Sequence, residues 1–390
     1  MSGPRTLLFA RNLFVPEDLG GNRYPYETMR RFGKRGYQVT VATPRLHDYF
    51  PTLDNVRYRF YRASRAHAAL THATNLIGAT ALLRRLSDVD VAIAGSYDSA
   101  LALGGAGVAP RTPLIFLYHS EFYSEWVQSR GLARQLLRRY MQAVERRVFD
   151  LSARIVAVSQ FSARQIAQRA VTAEPKIRVV PTGVDTAYFH PASSKADAKR
   201  SLGLSTDMPL LLGVGRLVGV KQLDRLITAF AAAHAQGMRA YLVIAGEGPE
   251  RPRLEHLINL YGVRDDVRLA GYCDPPQMLA LLQAADLEVC SSAFENLSLA
   301  ILEGMACATP CLGTPGGGTP ELVGAVDPDL VLTSDAPATI ADALPRWLAQ
   351  PQRLADLGQR ARALAVERYD WERVVDGLER VCKEVVSAWK

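Results

Sequence analysis

Short apolar runs separated by amphipathic stretches organise the first half of this chain. TLLFA (6–10) predicts a β-strand, and GGNRYPYETMRRFGKRG (20–36) predicts a helix entered from a Gly-rich loop and closed by Gly36. YQVTVAT (37–43) predicts a strand. VDVAIAG (89–95) and TPLIFLYH (112–119) predict strands of the continuous apolar kind, as in a parallel sheet covered on both faces. A helical stretch follows over 128–150, and ARIVAVS (153–159) and IRVVPTG (177–183) complete the series. Alternation of this kind is βαβ logic.

Residues 186–200, rich in Pro, Ser and Lys, read as a linker, after which the pattern restarts. PLLLGVGR (209–216), AYLVIAG (240–246), VRLAGY (267–272), LEVCSS (287–292) and TPCLGT (309–314) predict strands, with helices over 222–236 and from about Glu250 to Tyr261. A chain of 390 residues suits two domains. The expected fold class is α/β: two doubly wound Rossmann-like domains, 1–188 and 199–370, facing across a cleft. Ligands of such sheets sit beyond the carboxyl ends of the strands.

Composition adds little. Hydrophobic residues make up 48% and charged residues 22%, as in an ordinary globular protein. No apolar run is long enough to span a membrane. The first apolar run reads as a strand and not as a signal peptide, so a cytoplasmic location is expected. Five cysteines are present, and Cys307 and Cys311 read as small buried hydrophobes with no metal-ligand pattern beside them. Charge changes the picture more. Residues 1–185 hold 26 Lys/Arg and 14 Asp/Glu, a net of +12, whereas the remainder carries −5. A basic first half points to an anionic partner such as a lipid headgroup or a phosphate-linked acceptor. No nucleic-acid motif accompanies it.

The densest cluster of candidate chemistry is FENLSLAILEGMACATPCLGTPGGGTPEL (294–322). Glu295 follows a predicted strand, and Glu303 falls about two turns along a helix expected to start near Asn296. Free amides at Leu297, Ser298 and Leu299, with the helix dipole behind them, suit a diphosphate. Glu303 is then placed to accept hydrogen bonds from a ribose diol; the alternative for both glutamates is a solvated helix face. In GVGRLVGVK (213–221), Arg216 and Lys221 follow a strand and open a helix, where two cations can neutralise a diphosphate leaving group or serve simply as surface charge. Gly20–Gly21 lets backbone approach a phosphate, or makes a plain turn. His119 ends a strand before an aromatic-rich loop, in reach of a sugar hydroxyl or buried as a core histidine.

The order and spacing of these elements resemble the family 4 retaining glycosyltransferases of the GT-B fold. The resemblance is carried by Gly20–Gly21, His119, VSQFSAR (158–164), VVPTGVDTAYFHP (179–191), GRLVGVK (215–221), VIAGEGPERPRL (243–254), RLAGYC (268–273) and the Glu295–Glu303 block, nearly the whole chain. YDWERVVDGLERV (369–381) resembles the family's last helix, which implies that residues from about 371 to 390 return to the first, acceptor-binding domain. Further implied roles are Arg216 and Lys221 on the diphosphate, Glu303 on the ribose and Glu295 on donor-sugar hydroxyls. Leu297, Ser298 and Leu299 would offer amides to phosphate and sugar. Backbone near Tyr272 and Cys273 would meet the base, Gly20–Gly21 would cover the phosphates and His119 would line the sugar pocket. The family commonly has Phe-Gly after the first glutamate, where this chain has Asn296–Leu297–Ser298, so donor-sugar identity does not carry over.

The implied reaction retains anomeric configuration by same-face displacement from a nucleoside-diphosphate sugar, UDP-sugar first and GDP-sugar next. It needs no cofactor and no metal, because Arg216 and Lys221 stabilise the leaving group. The acceptor is a sugar, glycolipid or small molecule with a hydroxyl. The rival functions are a GT-B-fold sugar-nucleotide epimerase and a non-catalytic sugar-nucleotide-binding subunit. RGLARQLLRRYMQAVERRVF (130–149) further suits peripheral contact with an anionic membrane, or a helix whose apolar side packs in the core.

Overall fold

The computed structural model describes residues 5–11, 23–45, 50–62, 68–86, 89–119 and 132–389. It divides into two compact units, one of residues 1–181 with 372–390 and the other of Thr182–Trp371. The strands of the first unit are β1 (Thr6–Ala10), β2 (Gln38–Pro44), β3 (Val56–Tyr61), β4 (Val91–Ala94), β5 (Leu114–Tyr118), β6 (Arg154–Ala157) and β7 (Ile177–Val179). They form one sheet in the order β3-β2-β1-β4-β5-β6-β7, parallel throughout. Its helices are α1 (Arg23–Lys34), α2 (Ala68–Leu83), α3 (Tyr97–Gly105), α4 (Leu132–Leu151) and α5 (Gln160–Arg169). β4 and β5 are buried at every position, which is why they read as unbroken apolar runs. β3 was not expected from the apolar pattern: it is an edge strand, VRYRFY, in which Arg57, Arg59 and Phe60 are exposed and only Tyr61 is buried.

The second unit contains β8 (Leu210–Val214), β9 (Tyr241–Ala245), β10 (Val267–Gly271), β11 (Leu287–Cys290) and β12 (Cys311–Gly313). These form a parallel five-stranded sheet in the order β10-β9-β8-β11-β12. Its helices are α6 (Lys195–Ser201), α7 (Leu223–Ala235), α8 (Arg251–Leu260), α9 (Pro275–Ala284), α10 (Leu299–Ala306), α11 (Thr319–Val326), α12 (Pro337–Leu348) and α13 (Pro351–Leu364). Residues 186–200 are not a loose linker. Phe189 is buried in the core of this unit, Arg362 donates to the carbonyls of Thr186 and Phe189 at 2.9 Å each, and α6 begins at Lys195 under the cap of Ser194. The last helix, α14 (Trp371–Trp389), docks by charge. Arg35 binds Glu372, Asp376 and Glu379 at 2.7–2.9 Å, and Glu384 pairs with both Arg154 and Arg178. Arg31 of α1 also reaches Glu372, so Arg31, Arg35, Arg154 and Arg178 of the first unit are paired with carboxylates of this helix.

Candidate active site

In the second unit the strand order reverses between β8 and β11 while the strands stay parallel, and a doubly wound sheet opens its ligand crevice at the carboxyl end of such a switch point. Two loops flank it. The loop after β8 carries Arg216 and Lys221. It is pinned from below, since Leu217 N donates to Glu247 O at 2.9 Å and Glu250 N donates to Leu217 O at 3.0 Å. Arg216 is exposed at the strand end. A 3-10 turn over Gly219–Lys221 and a left-handed Gln222 (φ 48°) then start α7.

The loop after β11 carries Ser291 to Ser298. Ser291 Oγ donates to Lys221 O and Ala293 N to Val220 O, both at 2.8 Å, tying one loop to the other. Lys221 Nζ reaches Glu295 Oε1 at 2.5 Å, and Ser292 Oγ donates to the same oxygen at 2.8 Å. Gly318 N donates to Glu295 O at 2.6 Å. A Cβ at Gly317 or Gly318 would collide with the backbone of Glu295 and Asn296, and Gly317 also sits at φ +66°. This backbone-on-backbone contact accounts for the unusually Gly-rich turn GTPGGGTPE.

The helix after Glu295 begins three residues later than expected. Ser298, not Asn296, is the N-cap: its Oγ accepts from Ile301 N, and α10 starts at Leu299. The amides of Leu297 and Ser298 therefore precede the helix, and Leu299 is the first inside it. Glu303 lies four residues on, a little over one turn and not two, and it is 9% exposed. Tyr272, 64% exposed, and Cys273, whose thiol donates to Gly271 O at 3.7 Å, stand at the end of the edge strand β10, two strands from β8. Among the described residues no group of three His, Cys, Asp or Glu side chains could hold a metal ion.

In the first unit the corresponding reversal lies between β1 and β4. Arg11 follows β1 and donates to Gly95 O, past the end of β4, at 3.3 Å. His119 directly follows β5 and packs edge-on against Tyr24 with ring centroids 4.9 Å apart. Burial, with Arg11 adding repulsion, lowers its pKa to about 3, so the imidazole is neutral at physiological pH. Gly20 and Gly21 lie outside the described residues.

Two family models match the sequence: Glycosyltransferase Family 4 over residues 20–188 and Glycosyl transferases group 1 over residues 194–364. The chain belongs to the family 4 glycosyltransferases. A relative, D-inositol 3-phosphate glycosyltransferase of Acidothermus cellulolyticus, is 35% identical over 245 residues, which is 60% of this chain and 54% of the relative. The chain thus spans about half the length of the curated relatives it matches. Among solved structures, sucrose-phosphate synthase from Thermosynechococcus elongatus matches with TM-score 0.81 at 21% identity, covering 98% of this chain and all of that one. Anabaena HepE, solved with UDP and glucose, matches with TM-score 0.74 at 18% identity, covering 97% of this chain and 99% of that one. At such identities these likenesses speak for the GT-B fold.

Two features of this family 4 glycosyltransferase were not singled out from its sequence. Ser292 shares the Glu295 oxygen with Lys221. Glu288, inside β11, is 2% exposed, and burial with the nearby Glu303 raises its pKa to about 8. A glutamate in the middle of LEVCSS was the available signal.

Proposed function

We propose that this chain transfers a sugar from a nucleoside-diphosphate sugar to a hydroxyl acceptor with retention of anomeric configuration. One observation carries the proposal: Lys221 and Glu295 meet across the switch-point crevice of the second unit, with the start of α10 and Glu303 beside them. Arg216, Lys221 and the first amides of α10 supply positive potential for a departing diphosphate. Glu303 accepts from the ribose, and Tyr272 and Cys273 frame the base. Glu295, its charge shared between Lys221 and Ser292, holds donor-sugar hydroxyls. The second oxygen of that carboxylate, Oε2, is the one the sugar would use, since Oε1 is engaged. UDP in the HepE structures favours a uridine donor.

The leaving diphosphate and the incoming hydroxyl share one face of the sugar. The hydroxyl proton passes to the departing phosphate oxygen as the new bond forms, so no protein base is required on that face. A neutral imidazole at His119 can donate to a sugar hydroxyl without adding a charge that would compete with an oxocarbenium-like state.

The basic first unit favours an anionic acceptor or membrane surface. On α4 the residues that pack are Met141, Val144, Val148 and Phe149, all buried, whereas Leu136 and Tyr140 are 64% and 52% exposed next to the exposed Arg138 and Arg139. Core packing therefore leaves Leu136 and Tyr140 of this basic stripe uncovered, with Leu137 partly buried, which supports peripheral contact with anionic lipid at the inner face of the membrane. Incubation with UDP-sugars alone tests the reaction. Slow release of UDP is expected, and an epimerised sugar, or no reaction of any nucleotide sugar, would overturn the proposal.

A further inference from the structure

Glu288 occupies a place where a parallel sheet has no structural use for a carboxyl. It pairs with Leu212 of β8 on one side and Cys311 of β12 on the other, between the apolar Leu287 and Val289. Its Oε2 is buried with no hydrogen-bond partner among the described residues. Room for the side chain is made by Gly304, the residue after Glu303: a Cβ at that position would collide with Glu288 Oε2. The carboxyl is thus lodged directly beneath the turn of α10 that presents Glu303. The titratable groups around it are Glu303 of α10 and Cys307 just after it, Glu295 of the following loop, Lys221 of the opposite loop and Cys311 of β12. Both thiols are held well above their ordinary pKa and stay neutral.

We propose that Glu288 is a positioning residue of the nucleotide site, kept as an uncharged acid under α10 so that a nucleoside diphosphate can enter, and that its ionisation weakens donor binding in alkaline solution. The inference rests on the assignment of Glu303 and Lys221 to the donor. A diphosphate brings at least two negative charges to a place that already holds Glu295 and Glu303, balanced chiefly by Lys221 and Arg216. A third carboxylate, buried where water does not screen it, opposes that charge; a carboxylic acid does not. Ionised Glu288 must therefore take up a proton as the nucleotide binds. Burial, with Glu303 and Glu295 adding repulsion and Lys221 opposing it, puts its pKa at about 8. If only the protonated protein binds, the dissociation constant rises about tenfold between pH 7 and pH 9.

The test is calorimetric titration of the full chain with UDP, GDP and ADP at pH 7, followed by the tightest binder at pH 8 and 9, for wild type and Glu288→Gln. Wild type should lose about tenfold in affinity by pH 9, while Glu288→Gln, which cannot ionise, should follow only the shallower titration common to both proteins. At pH 7 the two should agree within about twofold. Repeating the wild-type titration at pH 8.5 in buffers of different ionisation enthalpy should reveal proton uptake, a readout that needs no variant to fold. Coincident pH profiles, or binding without proton uptake, would overturn this inference alone. Failure of every nucleotide to bind wild type at pH 7 would overturn the donor-site assignment and this inference with it.

Discussion

Replacing Glu288 should also change how stability depends on pH. An ordinary glutamate has a pKa near 4.5, and that of Glu288 is about 8 in the fold. Between those values the folded chain holds a proton that the unfolded chain has released, so stability drains as pH rises through the interval and no further above it. One pKa unit is worth about 1.4 kcal/mol, so the full interval amounts to roughly 5 kcal/mol and the part below pH 7 to about 3 kcal/mol. Glu288→Gln removes the titration. Measured from pH 5 to 9, the melting temperature of the variant minus that of wild type should climb until about pH 8 and then level. A unit of this size shifts by about 2–4 °C per kcal/mol, which makes the rise on the order of 10 °C. A constant offset between Gln and wild type at every pH would mean the side chain titrates normally, and the account of a neutral buried acid would be wrong. A fall in the difference with rising pH would reverse its sign and refute it as well.

Glu303→Ala should weaken binding of the free nucleoside diphosphate by about 1.5–3 kcal/mol, through loss of a charged acceptor for two hydroxyls, and unchanged affinity in calorimetry would remove Glu303 from the ribose. Turnover should persist in excess EDTA if, as proposed, Arg216 and Lys221 neutralise the leaving diphosphate; activity abolished by EDTA and restored by magnesium or manganese would contradict that role. Arg138→Glu with Arg139→Glu should abolish low-salt co-sedimentation with phosphatidylglycerol vesicles, at about 1 kcal/mol per basic residue near the surface. Absence of wild-type binding, or binding indifferent to the substitutions, would discard the membrane contact.

The strands that were legible in the sequence are those buried on both faces, since a residue such as those of LIFLY (114–118) reports its burial by being apolar. β3 was missed because an edge strand answers to solvent as much as to the core. The start of α10 was misplaced by three residues because Ser298 and Asn296 are both good caps, and the choice is made by the turn of Gly316–Gly318 packed against Ala293, Glu295 and Asn296. Glu288 was illegible for a related reason. Its meaning depends on Gly304, sixteen positions on, whose missing side chain leaves the space it fills. Residues 186–200 resemble a linker by composition, yet the carbonyls of Thr186 and Phe189 are tied down by a single distant arginine, Arg362, which local pattern does not reveal.

The central claim is that the loops after β8 and β11 jointly hold and neutralise the departing diphosphate. Its most direct test is the single-turnover rate of nucleoside-diphosphate release from the tightest-binding nucleotide sugar, compared between wild type and Lys221→Met. Removing a preorganised cation from a developing charge typically costs on the order of 100- to 1000-fold, and a loss of that size is expected here with donor still bound. A Lys221→Met enzyme that releases the nucleotide at the wild-type rate would contradict the account.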